Sequence, residues 1–263
     1  MIHGLNNTYL YSAKMIIAHW TNGKDTVELR GTGFFVDKEG ELALITNRHV
    51  VEPGYSDRKF LGYTVSDFLV VGYQAVDENG IPCDLHIAKI NNFLDFCFSA
   101  NVHNDIACLK KVQLGNGSAT VICPIPYSLL ATKEQLEKLS VCDSIAYPGF
   151  PEWYDRKNET PIFRMGTIAS DPRLNYSYDK SAPIADRVAY EGFSSGGASG
   201  SPVFSVQKGF QIGGGLEYSG DDEFYRSVKL IGINAGHFSD QKGHSGISYF
   251  YKSSAILEIL DTI

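Results

Sequence analysis

The sequence predicts an all-β fold in two halves, closed by a helix at the C-terminus. Three observations predict it. Short β-rich runs recur along the chain, divided by Gly, Asp, Asn and Lys, and long polar helical stretches are few. Gly is abundant at 26 residues, and Tyr and Phe contribute 15 each, a balance suited to strands joined by tight turns. A segment near 124–140, opened by two prolines, separates two sets of such runs.

In the first set, Met15 to Trp20 is followed by a turn over Thr21 to Asp25. Thr26 to Leu29, Gly33 to Val36 and Leu42 to Thr46 then read as strands. Phe68 to Tyr73 and Leu85 to Ile90 flank a turn at Asp77 to Gly80, and Ile106 to Leu109 ends the set. Pro124-Ile125-Pro126 reads as a break. Ala131 to Leu139 predicts a helix, because Thr132 is a suitable N-cap and good helix formers follow. Strands resume at Val141 to Tyr147, Gly166 to Ile168, Arg187 to Tyr190, Pro202 to Val206 and Val228 to Asn234. Ser253 to Ile263 carries Ile256, Leu257, Ile259 and Leu260 at the spacing of a short amphipathic helix. The segment 205–229, rich in Gly and acidic residues, reads as a surface hairpin, with shaping access or docking a partner as the alternative.

A chain of 263 residues can build one large core or two small ones. Its net charge of −7 and lack of a basic cluster disfavour a nucleic-acid or anionic-membrane partner. Five cysteines without paired CxxC spacing fit neither a disulfide framework nor a zinc site, and the histidines show no metal-ligand spacing. Cys97, Cys108 and Cys142 sit in or beside apolar runs, where a thiol acts as a small buried hydrophobe. Met1 to Trp20 lacks the pattern of a secretory leader, and no apolar run approaches the ~20 residues of a membrane span. A cytoplasmic location is expected, and the unpaired thiols agree with it.

Three short motifs can carry chemistry. Gly197-Ala198-Ser199-Gly200-Ser201-Pro202 places a serine among glycines. These let the backbone aim N–H groups at a developing oxyanion. Its bland reading is a tight turn between strands. His49 ends an apolar run in Thr46-Asn47-Arg48-His49-Val50-Val51, where a half-buried core histidine is the alternative. Asp105, in Asn104-Asp105-Ile106-Ala107, reads alone as a strand-start acid. Ser201 stands where the Gly-x-Ser-x-Gly elbow needs a second Gly, and Gly213-Gly214-Gly215 lacks the Lys-Ser/Thr of a phosphate loop.

Taken in the order His49, Asp105, Ser199, these motifs resemble the chymotrypsin-like serine peptidases, which use that chain order. Gly31 to Val36 before Thr46 to Val51 is similar to the strand pair that delivers the family's base. Within the family the chain is most similar to bacterial enzymes without disulfides, the glutamyl endopeptidases and the HtrA protease domain. Val50 stands where the disulfide-rich animal enzymes place a Cys. Ala198 stands where they place the Asp that pairs with a newly cut amino terminus.

The resemblance implies two six-stranded antiparallel β-barrels packed together with a C-terminal helix. Residues 1–125 would hold His49 and Asp105, and residues 126–263 would hold Ser199. It implies peptide-bond hydrolysis with Ser199 as nucleophile, His49 as base, Asp105 as orienting acid, and the N–H groups of Gly197 and Ser199 as oxyanion hole. Activity would fall as His49 protonates in acid. The substrate pocket would be lined by Phe193, Ser194, Asn234, Ala235, Gly236 and His237. A small or apolar side chain is expected there, with His237 leaving an acidic one open. No metal or organic cofactor is implied, and the partner is a peptide or protein substrate. Two other readings stay open: a silent peptide-binding pseudo-protease, and a protease active only with a regulatory protein partner.

Overall fold

In a computed structural model of the chain, residues 5–115, 120–208, 226–240 and 243–262 are described. Most of the chain is β-strand. After a one-turn helix, α1 (Asn7–Leu10), come β1 (Ala13–Thr21), β2 (Thr26–Lys38), β3 (Glu41–Thr46), a second one-turn helix α2 (Arg48–Val51), β4 (Thr64–Val76), β5 (Pro82–Lys89), β6 (Cys97–Phe98), β7 (Ala107–Leu109) and β8 (Ile125–Pro126). The second half holds α3 (Lys133–Glu137), β9 (Ser144–Gly149), β10 (Ile162–Ile168), β11 (Arg187–Glu191), β12 (Pro202–Ser205), β13 (Lys229–Asp240), β14 (Gly243–Lys252) and α4 (Ser253–Asp261).

The all-β expectation and the C-terminal helix hold, and so does a closed barrel of six strands in the second half, ordered β10-β11-β14-β13-β12-β9. In the first half the strand count differs from six. Eight strands form one sheet, ordered β5-β4-β1-β2-β3-β7-β6, with β8 joining β2 in parallel. The extra members include β6 and β8, each two residues long and too short to leave a periodic signal. Pro124-Ile125-Pro126, expected as a break, thus contributes Ile125 as the partner of Val36.

Alternation along the strands builds the cores. On β2, Phe34 and Val36 face a cluster shared with Phe204, Ile233 and Ile256 from the second half. Phe35 faces the other way, onto Ile16, Leu44 and Phe68. Both Phe side chains are fully buried, each contributing about 1.5–3 kcal/mol relative to exposure. A third cluster fills the closed barrel with Tyr147, Val188, Tyr190, Val203 and Phe250. Helix α4 buries Ile256 and Ile259 in the shared cluster, as its spacing predicts.

Helix α3 starts where its sequence says. The Thr132 hydroxyl accepts from the Gln135 N–H and the Gln135 side chain accepts from the Thr132 N–H, a capping box. The cysteines depart from expectation. All five are free thiols, and Cys108 is buried as expected. Cys97 is half-buried, and Cys142 is exposed in a turn at φ 66°, where the polar Asp143 and not a strand follows it. Of the segment 205–229, Lys208 and Arg226 pair as an antiparallel bridge, while residues 209–225, including Gly213 to Gly215, lie outside the described residues. Among the described residues no helix is long and apolar enough to cross a membrane.

Candidate active site

Strand register brings His49 and Asp105 together. β3 and β7 are antiparallel neighbours with Thr46 opposite Ala107, so the residues after Thr46 leave the sheet beside those before Ala107. His49 lies in α2 just past β3, and Asp105 lies just before β7. Asp105 is buried, and its carboxylate takes two hydrogen bonds from one residue. Oδ1 accepts the His49 backbone N–H at 2.8 Å, and Oδ2 lies 2.5 Å from the imidazole Nδ1. Oδ2 thereby places the imidazole proton on Nδ1 and leaves Nε2 as the acceptor.

Neighbouring residues hold this pair still. The buried Asn47 amide donates to the Asp105 carbonyl at 2.7 Å. Arg48 lies over the rings of Tyr55 and Phe98, at 4.6 and 4.4 Å, and pins the one-turn helix to the sheet. Asn104 is fully buried. Its amide donates to Asp186 Oδ2 at 2.7 Å and to Ser99 Oγ at 3.1 Å, and its oxygen accepts the Asp186 N–H at 2.9 Å. Asn101 donates to the Ile184 carbonyl and Tyr251 to the His103 carbonyl, so the Asp105 loop is tied to the second half at three points. Burial first and the Asp105 charge second push the Tyr55 phenol up to about 12 and raise the Tyr249 phenol, keeping both neutral beside the carboxylate.

Ser199 arrives from the other half. It stands in the turn before β12, which pairs with β13 so that Pro202 opposes Ile233. Two glycines shape the turn. Gly197 has φ +87°, and a Cβ there would meet the Phe150 carbonyl at 2.3 Å. Gly200 has φ +90°, and a Cβ there would meet the Thr32 carbonyl at 1.8 Å. Thr32, on β2, crosses between the halves. Its N–H donates to the Ser199 carbonyl at 2.8 Å, its hydroxyl donates to the Gly197 carbonyl at 2.7 Å, and that hydroxyl accepts the Phe150 N–H at 3.1 Å. Among the described residues, the N–H groups of Gly197 and Ser199 make no hydrogen bond, whereas the intervening Ala198 N–H closes a turn onto Ser195 at 3.0 Å. The Ser199 hydroxyl donates to the Ala235 carbonyl at 3.3 Å and not to the imidazole.

Beside the turn, β13 carries Asn234 to His237. Asn234 is fully buried, accepting from the Tyr190 hydroxyl at 2.7 Å and donating to Ser194 Oγ at 3.0 Å and the Ala198 carbonyl at 2.9 Å. Ser194 and Ala235 are buried, Gly236 is half-buried and His237 is exposed, and Phe193 is 64% exposed with its ring 5.0 Å from that of His244. Sequence reasoning missed His244. Its ring stacks on His237 with centroids 4.3 Å apart, and its Nδ1 accepts the Gly246 N–H at 2.8 Å. Burial, and then the neighbouring His237, hold the His244 imidazole below its ordinary range. No local signal marks His244, because the bulged β13–β14 pairing sets its position. Thr32, Asn104 and Asp186 were missed for the same reason, since their partners are distant in sequence.

The Ser199 turn thus rests, through Thr32, on the same sheet whose strands β3 and β7 lead to His49 and Asp105. The sequence matches the family model of the trypsin-like peptidase domain over residues 31–213, well over half of the chain. The chain belongs to that family. Among curated proteins none matches by sequence. Among solved structures, the chain is similar to the HtrA-type protease AlgW carrying a Ser-to-Ala replacement, with a tripeptide, at a TM-score of 0.55 and 16% identity over 95% of this chain and 59% of that one. The same protease with a decapeptide gives 0.55 and 15% identity over 97% of this chain and 64% of that one. These likenesses are of fold, and the chain spans about 60% of the length of the structures it matches.

Proposed function

We propose that this trypsin-like peptidase domain is a serine endopeptidase that works through Ser199, His49 and Asp105. The observation that carries the reading is the double engagement of Asp105 by His49, with the Ser199 turn joined to the same sheet through Thr32. The imidazole Nε2 takes the Ser199 proton as the hydroxyl attacks a peptide carbonyl. Asp105 holds the tautomer and stabilises the imidazolium. The free N–H groups of Gly197 and Ser199 receive the oxyanion, each such donor being worth about 2.7–4 kcal/mol in the transition state. The imidazolium then gives its proton to the departing amine as the peptide C–N bond breaks, and water, deprotonated by the neutral imidazole, releases the acyl group from Ser199. Residues 1–125 supply base and acid, and residues 126–263 supply nucleophile and pocket.

The pocket is read as Ser194, Asn234, Ala235, Gly236 and His237, with Phe193 at its rim and His244 behind His237. The two imidazoles and the Ser194 hydroxyl favour a polar or acidic side chain in the substrate over an aliphatic one. The substrate is a peptide or protein segment lying along β13.

A fluorophosphonate probe tests the reading. Labelling of the folded chain that disappears in Ser199→Ala supports it, and labelling that survives in Ser199→Ala sinks it. The Ser199–Ala235 hydrogen bond favours a second reading, in which a regulatory partner must first turn the hydroxyl toward His49. In that case labelling appears when the partner is added, while a silent peptide binder stays unlabelled throughout.

A further inference from the structure

The core shared by the two sheets contains one thiol and touches another. Cys97 on the edge strand β6 and Cys108 on β7 are direct partners in the antiparallel ladder. Such partners project to the same face with Cα atoms about 4.5–5.5 Å apart, inside the ~4.4–6.8 Å that a disulfide spans. The packing agrees. Cys108 belongs to the buried cluster of Phe34, Ile45 and Ile256, and Cys97 packs against that same cluster. The Cys97 thiol donates to the Cys108 carbonyl at 3.0 Å.

The two sulfurs stand in different surroundings. Cys108 is fully buried, with no route to solvent of its own. Cys97 is half-buried and lines an open cleft of about 630 Å³ between the β6–β7 edge and the end of α4, with Lys110 and Lys111 on its wall. The hydrogen bond from the Cys108 thiol lowers the Cys97 pKa, burial opposes this, and the Lys110 charge adds to the lowering. The same hydrogen bond, with burial, pushes Cys108 up. Reactivity follows the thiolate and its access, so the first attack belongs to Cys97.

We propose that Cys97 and Cys108 form a peroxide-reactive thiol pair, in which Cys97 is oxidised first and Cys108 closes the disulfide. The Cys97 thiolate attacks one peroxide oxygen. An S–O bond forms, the O–O bond breaks, and hydroxide leaves to become water. The Cys108 sulfur then attacks the Cys97 sulfenic acid. An S–S bond forms, the S–O bond breaks, and water leaves with the Cys108 proton. The two sulfurs together lose two electrons, and the peroxide gains them. A dithiol reverses the step by thiol–disulfide exchange. The pair stands apart from the peptidase reading and does not depend on it.

The test treats the full chain near neutral pH with about one equivalent of hydrogen peroxide, then blocks free thiols, digests without reductant and reads peptides by mass. The expected product is a peptide pair joined through Cys97 and Cys108 that dithiothreitol separates. In Cys108→Ser, dimedone is expected to label Cys97. Should that core variant fail to fold, Cys97→Ser on the edge strand is expected to leave Cys108 reduced under the same peroxide. Alkylation of Cys97 should also outpace that of the exposed Cys83 and Cys142 by about ten-fold. Oxidation that falls on Cys83 or Cys142 while Cys97 stays intact overturns the proposal. So does Cys97 joined to a thiol other than Cys108, or Cys108 oxidised unchanged in Cys97→Ser.

Discussion

Thr32 holds the Ser199 turn against the first sheet, so replacing its hydroxyl tests whether that turn is built for catalysis. Thr32→Val keeps the shape and the backbone bond to the Ser199 carbonyl. It removes the hydroxyl bonds to the Gly197 carbonyl (2.7 Å) and from the Phe150 N–H (3.1 Å). Thr32 is fully buried, so both partners lose their match without gaining water. At about 1–3 kcal/mol for each polar group left unpaired, with some relaxation, the loss of stability is about 2–4 kcal/mol. That corresponds to a Tm lower by about 5–10 °C for a chain of this size. The Gly197 peptide is also freed, so its N–H loses aim at the oxyanion. A misaligned donor short of full loss lowers kcat by about ten- to hundred-fold with KM little changed. Thr32→Ser keeps the hydroxyl and should retain most of kcat, losing about 1 kcal/mol for the missing methyl. The assays are thermal unfolding and steady-state cleavage of a fluorogenic peptide by the purified chain. If Thr32→Val holds kcat within about two-fold of the parent while its Tm falls as expected, the link from Thr32 to the oxyanion site is wrong.

Further outcomes follow from other contacts. Gly200→Ala places a Cβ 1.8 Å from the Thr32 carbonyl at φ +90°, and should cost about 4 kcal/mol or more or prevent folding, as circular dichroism would read. Asn104→Ala removes three bonds that tie the Asp105 loop to Asp186 and Ser99. It should lower stability by about 3–4 kcal/mol and kcat more than KM, and unchanged kinetics would show that the tie does not position Asp105. Burial would raise the Asp143 carboxyl, but the Arg226 guanidinium and the Ser140 N–H outweigh it and hold the carboxyl below its usual range. Its stabilisation is therefore present above the unfolded value of about 3.9 and is lost as pH falls through the lower folded value. Asp143→Asn should flatten that part of an acid-unfolding curve. A peptide-library cleavage profile should favour polar or acidic side chains before the cleaved bond, with the preference weakened in His237→Ala, and a dominant aliphatic preference would refute the pocket reading.

How far the sequence reached depends on the range of the forces at each position. The Thr132 cap of α3 and the apolar stripe of α4 are local, and both stand where the sequence places them. β14 was not foreseen, although it pairs with both β11 and β13 inside the closed barrel. Its opening residues, Gly243-His244-Ser245-Gly246, carry turn chemistry, and ladder hydrogen bonds from two flanking strands override that preference. The eighth strand of the first sheet was hidden in the same way, in a Pro-flanked segment recruited by β2.

For the candidate site, the sequence alone determined which residues could carry chemistry and in what order, because a serine among glycines and an acid or histidine at a strand end are local patterns. It also determined the alternation that sends Phe34 and Phe35 to different cores. The tertiary structure alone decided that His49 and Asp105 touch, that Thr32 binds the Ser199 turn, that the Ser199 hydroxyl faces Ala235, and that His244 stacks behind His237. Those contacts join residues far apart in the chain. They form only when sheet register and the packing of two sheets have been set, and register is a property of the pairing, not of either strand by itself.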